Sequence, residues 1–213
     1  MTPATARPNV TDCGIPGIKL VPYGIHLCQV YQERQELVDS LAPYFRAGLR
    51  QHERCLWLAA PPLPAAEARS ELARLLPAVD AIIEQGDLRI IDAADWYGSG
   101  CGFRENAAIE RWLKEEEDAL AQAYNGLRIA KNTSFLAPSD AAAWINYEHA
   151  VTHALQERRI VALCSFNLHQ WQATDLFDII RAHHFTLDHP DDHWQVLEPR
   201  DHPERSIRVE TVV

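Results

Sequence analysis

The stretch Gly24–Ala60 (GIHLCQVYQERQELVDSLAPYFRAGLRQHERCLWLAA) constrains the fold more than any other, because it reads as strand, helix, strand. His26–Tyr31 (HLCQVY) is a short apolar run of the kind that becomes a buried strand. From Glu33 to Gln51, apolar residues recur at Leu37, Leu41, Tyr44, Phe45, Ala47 and Leu49, close to helical spacing, with Arg and Glu between them. Arg54–Ala60 (RCLWLAA) is a second buried strand, ended by Pro61-Pro62. Two parallel strands joined by a helix form the crossover unit of α/β sheets. Ligands in such sheets sit beyond the carboxyl ends of the strands, so the turn after Tyr31 is the first place to look for chemistry.

That turn excludes one large class of function. A phosphate-cradling loop needs glycines for close backbone approach and a Gly-Lys-Ser/Thr to meet the phosphates. Here the strand runs into Tyr31-Gln-Glu-Arg-Gln-Glu36, without a glycine. The chain has three lysines, Lys19, Lys114 and Lys131, and none follows a glycine. Nucleotide hydrolysis by this route is not expected, and no catalytic residue is assigned.

Strand and helix alternate through the remaining sequence. Ala65–Leu76 and Ala78–Gln85 read as helices, Leu88–Asp92 as a strand and Ala93–Phe103 (AADWYGSGCGF) as a glycine-rich loop. Arg104–Tyr124 is a long amphipathic helix, Leu127–Ala130 a strand and Asp140–Gln156 a helix. Ile160–Phe166 (IVALCSF) is the most strand-like run, followed by a helix over Thr174–His184 and an edge strand over Trp194–Leu197. This order predicts an α/β fold, a mainly parallel central sheet with helices on both faces. Residues 1–12 are expected to form a flexible arm, 13–198 the single domain and 199–213 a polar tail.

Charge narrows the partners. A net charge of −10 argues against a nucleic-acid surface, which would show a basic patch. No stretch reaches the roughly 20 apolar residues of a membrane span, and the N-terminus lacks an apolar signal core, so a cytoplasmic protein is expected. Five cysteines, at 13, 28, 55, 101 and 164, are widely spaced, and Cys28, Cys55 and Cys164 fall in strands where a reduced thiol packs as a small hydrophobe.

An ordered set of short motifs carries a family resemblance. It comprises His26-Leu-Cys-Gln-Val-Tyr31, Pro43-Tyr-Phe-Arg-Ala-Gly48, Cys55-Leu-Trp57, Asp95-Trp96-Tyr97, Gly126-Leu-Arg128, Tyr147-Glu148, Ala162-Leu-Cys-Ser-Phe166 and His183-His-Phe185. Running from about residue 14 to 198, this set resembles the MEDS domain, the sensory domain of methanogen and methylotroph proteins, the dichloromethane regulator DcmR among them. Gly14-Ile-Pro-Gly17 and the layout after it also look like the RecA-type ATPase core of circadian-clock ATPases. In those proteins the loop after the first strand is a P-loop, and the strand matching 127–132 ends in a metal-binding acid. Gly126–Ala137 (GLRIAKNTSFLA) has no carboxylate. The resemblance therefore implies a RecA-like three-layer sandwich serving as a non-catalytic sensory domain with a degenerate nucleotide site. It further implies a small-molecule ligand and a protein partner such as a kinase or regulator, and it leaves room for a homodimer.

Candidate sites follow from the same layout. Tyr31, Trp57, Trp96, Tyr97, Asn132, Phe135 and Asn167 lie near strand ends, and this topology is expected to gather most of them into one apolar-walled pocket for a small neutral ligand, covered by Ala93–Phe103. No cofactor is needed for that reading. The alternative uses His26 and Cys28, two apart and so on one strand face, with Cys164 on the strand that the RecA pattern places next door. These could hold a metal or haem for a redox sensor, or be a hydrogen-bonded core histidine with packing thiols, the simpler reading. His183, His184, His189, Asp191, Asp192 and His193 are irregularly spaced and read as a solvated polar turn. Ser165 with His26 or His169 lacks the Gly-x-Ser-x-Gly elbow of a hydrolase.

Overall fold

Long apolar runs bounded by turn residues set the architecture. In the computed structural model, which describes residues 8–98, 105–136, 138–188, 195–197 and 208–209, they become strands of a single large sheet. Its members are β3 (Ile25–Tyr31), β4 (Arg54–Ala59), β5 (Leu88–Asp92), β6 (Leu127–Asn132), β7 (Ile160–Asn167), β8 (Phe185–Asp188) and β9 (Gln195–Leu197). They are ordered β5-β4-β6-β7-β3-β8-β9. The first six run parallel and β9 joins antiparallel at the edge. A smaller antiparallel sheet combines β1 (Val10–Asp12), β2 (Ile18–Pro22) and β10 (Arg208–Val209).

Helices cover both faces, as a buried parallel sheet requires. On one face, α1 (Arg34–Arg50), α2 (Ala65–Leu75) and α3 (Val79–Gln85) share a core with the inner side of the small sheet. On the other, α4 (Ala93–Tyr97), α5 (Glu105–Ala121), α6 (Ala141–Ala154) and α7 (Ala173–Ala182) enclose a second core. The expected three-layer α/β sandwich is thus observed. Among the described residues no helix is long and apolar enough to cross a membrane.

Several local expectations need correction. Val10–Asp12 belongs to β1 rather than to a flexible arm, because its amides and carbonyls pair with Leu20–Pro22. Arg208–Val209, in the expected tail, pairs with the other side of β2. The four-residue β8 escapes a periodicity argument, yet it extends the sheet beside β3. Ala93–Tyr97 forms a short helix, not a loop, and residues 99–104 of that segment lie outside the described residues.

One polar knot locks the amino-terminal edges of β4 and β6 to the small sheet. Buried Arg128 bonds Glu53 Oε2 at 2.5 Å, the carbonyls of Cys13 and Tyr44 at 2.9 Å each, and the Asp12 carbonyl at 2.6 Å. Glu53 Oε1 accepts from Thr11 at 2.6 Å and Tyr23 at 2.7 Å. Buried charge is tolerated when each member is matched in this way, so this knot is a structural device.

Candidate functional site

Parallel register brings a row of side chains to one level on the α6 face. Lys131 of β6 pairs with Cys164 of β7, Cys164 with Cys28 of β3, and Cys28 with Thr186 of β8. His26 lies two residues before Cys28 and therefore on the same face. Opposite them α6 presents Glu148, with Thr152 one turn on, and the chain leaving α7 presents His183.

Within this face stands a fully buried charged cluster. Lys131 Nζ donates to Glu148 Oε1 at 2.8 Å and Oε2 at 2.7 Å. The ammonium also faces Tyr147, Trp144 and Trp112 at 4.6, 4.7 and 5.2 Å from the ring centroids, an aromatic cage of the kind that holds cations. His26 Nε2 lies 3.0 Å from Cys164 Sγ and 3.5 Å from Glu148 Oε2. His183 Nε2 lies 3.6 Å from the same oxygen. The two imidazole rings are 4.0 Å apart. His26, Glu148, Cys164 and His183 each have side chains fully removed from solvent, and one ligand atom from each falls within 4.8 Å of all the others.

Hydrogen bonds at the back of each ring fix the tautomers. Thr152 Oγ1 gives its one proton to the Ala182 carbonyl, so toward His26 Nδ1, 2.7 Å away, it can only accept. His183 Nδ1 donates to the Ile179 carbonyl at 2.6 Å. In the neutral rings both Nε2 atoms therefore carry an inward lone pair, that of His26 accepting from the Cys164 thiol at 3.0 Å and that of His183 without a hydrogen-bond partner among the described residues. His184 holds the strand itself, its Nδ1 accepting from His26 N at 3.0 Å while its own N donates to His26 O at 2.9 Å.

Burial governs the protonation states. Desolvation, helped by the neighbouring His183 and Lys131, lowers His26 well below its ordinary range. Desolvation likewise takes His183 down to about 3, opposed by its bond to Ile179. Cys164 is pushed well up by burial, against the pull of Lys131. Burial raises Glu148 as well, with Lys131 opposing. For Lys131 burial acts toward the neutral amine, but the anionic neighbours outweigh it and hold the ammonium. The face is thus an ion pair beside two neutral histidines and a thiol.

The seven residues expected to line one pocket separate into two groups. Tyr31 and Trp57 lie in the core under α1, where Trp57 packs on Phe45 at 5.5 Å. Tyr31 Oη bonds Ser134 at 2.8 Å and Asn132 Oδ1 at 3.2 Å. Asn132 also donates to the carbonyls of Ala60 and Pro61, so its polar atoms clip strand ends together. Asn167 accepts from the His169 amide within its own turn. Across the sheet, Trp96, Tyr97 and Phe135 pack in the second core. There Tyr97 stacks on Phe135 at 5.5 Å and meets Trp144 and Tyr147 edge-on at 5.2 and 6.0 Å. Tyr97 and Phe135 therefore belong to the aromatic wall over the charged cluster, whereas Tyr31, Trp57 and Asn132 do not.

The alternative set holds together in part. His26 and Cys164 touch, while Cys28 stands beside them outside the group of converging ligand atoms. His183, read as solvated, is buried, as is His184, because β8 follows immediately and carries them under the sheet edge. His189 and Asp191–His193 lie outside the described residues. Ser165 donates to Gln29 at 3.0 Å on the opposite face from His26, which leaves no nucleophile–base pair there. The reading missed Lys131, Glu148 and Thr152. A lysine inside the buried strand Leu127–Asn132, and Trp144, Glu148, Val151 and Thr152 on one helical face, are the signals that point to them.

At the amino terminus of α1, Glu36 accepts from the Gln32 and Glu33 amides at 3.1 and 3.2 Å.

A family model described as the methanogen/methylotroph, DcmR sensory domain matches residues 25–184. No curated protein matches the chain. Among solved structures, a KaiC-like protein from the hyperthermophilic archaeon Pyrococcus horikoshii is similar, with 13% identity, a TM-score of 0.57, and 93% of this chain and 92% of that one covered. The flagellar accessory protein FlaH from Methanocaldococcus jannaschii is also similar, at 13% identity and a TM-score of 0.56, with coverage of 92% and 86%. These likenesses show that the fold is RecA-like.

Proposed function

The chain belongs to the MEDS family of sensory domains, and on that premise we propose a non-catalytic sensor whose reading centre is the buried cluster around Lys131 and Glu148. One observation carries this reading: the cluster is charged, wholly buried and incompletely matched, since His183 Nε2 has no hydrogen-bond partner among the described residues. A buried polar atom left without a partner costs stability, and such groups call for a functional reason. The Arg128–Glu53 knot is the internal control, equally buried but saturated.

The nucleotide site of the fold is degenerate in this reading. Glu36 supplies from within the chain the negative group that a phosphate would bring to the α1 terminus. At the end of β6, Lys131 and Asn132 stand where a metal-holding acid would be needed. A small neutral ligand suits the aromatic wall of Tyr97, Phe135, Trp144 and Tyr147. Glu148 and Thr152 sit on α6 and His183 follows α7, so a change at the centre reaches these helices first, and through them a kinase, a regulator or a second copy of the chain.

Trp112 and Trp144, both beside Lys131, make intrinsic fluorescence the assay. Titration with Mg–ATP is expected to give no saturable change, and small neutral one-carbon compounds are expected to give one that Tyr97→Ala weakens. Saturable Mg–ATP binding accompanied by phosphate release would overturn the reading.

A further inference from the structure

We propose that His26 Nε2, His183 Nε2, Cys164 Sγ and Glu148 Oε2 form a four-coordinate site for a divalent cation of the zinc class. The donors are of the right kind, since imidazole nitrogen, thiolate sulfur and one carboxylate oxygen together suit a borderline ion. Their spacing also fits. Ligands held at about 2.0–2.3 Å around a tetrahedral ion stand roughly 3.3–3.6 Å from one another. Two observed separations fall in that range, 3.5 Å (His26–Glu148) and 3.6 Å (His183–Glu148), the His26–Cys164 pair is closer at 3.0 Å, and all four donor atoms lie within 4.8 Å of one another.

The outer contacts point the same way. Metal-ligating histidines characteristically donate their second ring N–H to a carbonyl or other acceptor, which fixes the tautomer and aims the lone pair. Both rings do so here, His183 to the Ile179 carbonyl and His26 to Thr152, itself tied to the Ala182 carbonyl. The result is a bare, buried Nε2 on His183 facing a carboxylate that has no proton to give it. A cation between them satisfies both.

Binding releases one proton: Cys164 Sγ–H becomes a sulfur–metal bond and the thiol proton leaves for solvent. The ion then brings two positive charges against the new thiolate, so the centre gains one net charge. Lys131 Nζ donates to both Glu148 oxygens, Oε1 at 2.8 Å and Oε2 at 2.7 Å, so an ion on Oε2 takes the place of that second bond and leaves the ammonium on Oε1. The Lys131 ammonium beside the centre faces the rings of Trp112, Trp144 and Tyr147.

This inference rests on the proposed location of the reading centre, and Co2+ tests it separately from the organic ligand. Chelator-treated protein is titrated with Co2+ and, because the site is buried, also refolded in its presence. One Co2+ per chain is expected, with tetrahedral ligand-field bands and a near-ultraviolet thiolate-to-cobalt band. Cys164→Ser should abolish the thiolate band, whereas Cys28→Ser should leave it. His183→Gln should weaken binding by roughly a hundredfold or more, beyond the effect of an outer-shell change such as Thr152→Val. X-ray absorption of the wild-type cobalt form should show one sulfur neighbour, whichever variants fold. Absence of Co2+ after both treatments, an octahedral spectrum, or a thiolate band that survives in Cys164→Ser overturns the proposal. If Co2+ fails while one-carbon compounds still change tryptophan fluorescence, the metal site falls and the sensory reading stands.

Discussion

Arg128 and Lys131 stand three residues apart in one strand, both buried and both paired with a glutamate, yet they do different things. The planar guanidinium of Arg128 spreads its donors over a carboxylate and three carbonyls, fastening separate segments together. The Lys131 ammonium is a point charge committed to Glu148 and otherwise surrounded by aromatic rings. Removing one partner of such a pair leaves an uncompensated buried charge. Lys131→Met should therefore cost about 3–5 kcal/mol in urea unfolding, and adding Glu148→Leu should recover most of it. A single-variant cost below about 1 kcal/mol would mean that water reaches the pair. At this scale the sequence was half legible. His26 and Cys164 could be brought together because strand periodicity and strand order suffice to place them. His183 could not, because its burial depends on a four-residue strand whose own composition says nothing of its position.

Element by element, the parallel strands were legible because a strand buried on both faces needs a continuous apolar run, and Ile160–Asn167 has one. The short pieces were not. β1, β8 and β10 have two to four residues each and gain order from neighbours distant in sequence. The pocket expectation failed for a related reason: nearness to a strand end does not say which face a side chain takes, and one residue of offset reverses it. Tyr31 and Trp57 thus fell under α1 while Tyr97 fell under α6. Helix α1 shows how tightly these layers fit. A Cβ added at Gly48 would stand 2.6 Å from Arg128 Cδ and Nε. Because that guanidinium is fixed by its own bonds, Gly48→Ala should destabilise by about 1–3 kcal/mol, despite alanine's better helix propensity. An unchanged or raised melting temperature would show that the Arg128 knot yields easily.

For the molecule as a whole, the two faces of the sheet carry different kinds of polar interior, and only one should respond to mild acid. On the α6 face His26 and His183 are neutral in the folded protein, held below their ordinary range by burial. The groups that meet them are Lys131 from β6, Cys164 from β7, Glu148 and His149 from α6, and His184 beside them. As pH falls below about 6.5, the unfolded chain takes up protons on both imidazoles and the folded chain does not, so stability is lost. For His183 the loss continues until its folded value near 3 is reached. The slope can approach about 1.4 kcal/mol per pH unit for each histidine. Glu148 acts in the opposite sense: its folded value is raised, so its protonation favours the folded state and offsets part of the loss as the pH falls toward the ordinary carboxylate range, with no further effect below it. The decline is therefore expected to begin at about pH 6.5 and to continue toward pH 3. Urea midpoints of chelator-treated protein should fall across this window, and His26→Gln combined with His183→Gln should flatten the fall. Midpoints that stay level as the pH drops, or a decline unchanged by the double substitution, would show that these imidazoles are already charged in the folded protein and would place the acid sensitivity elsewhere.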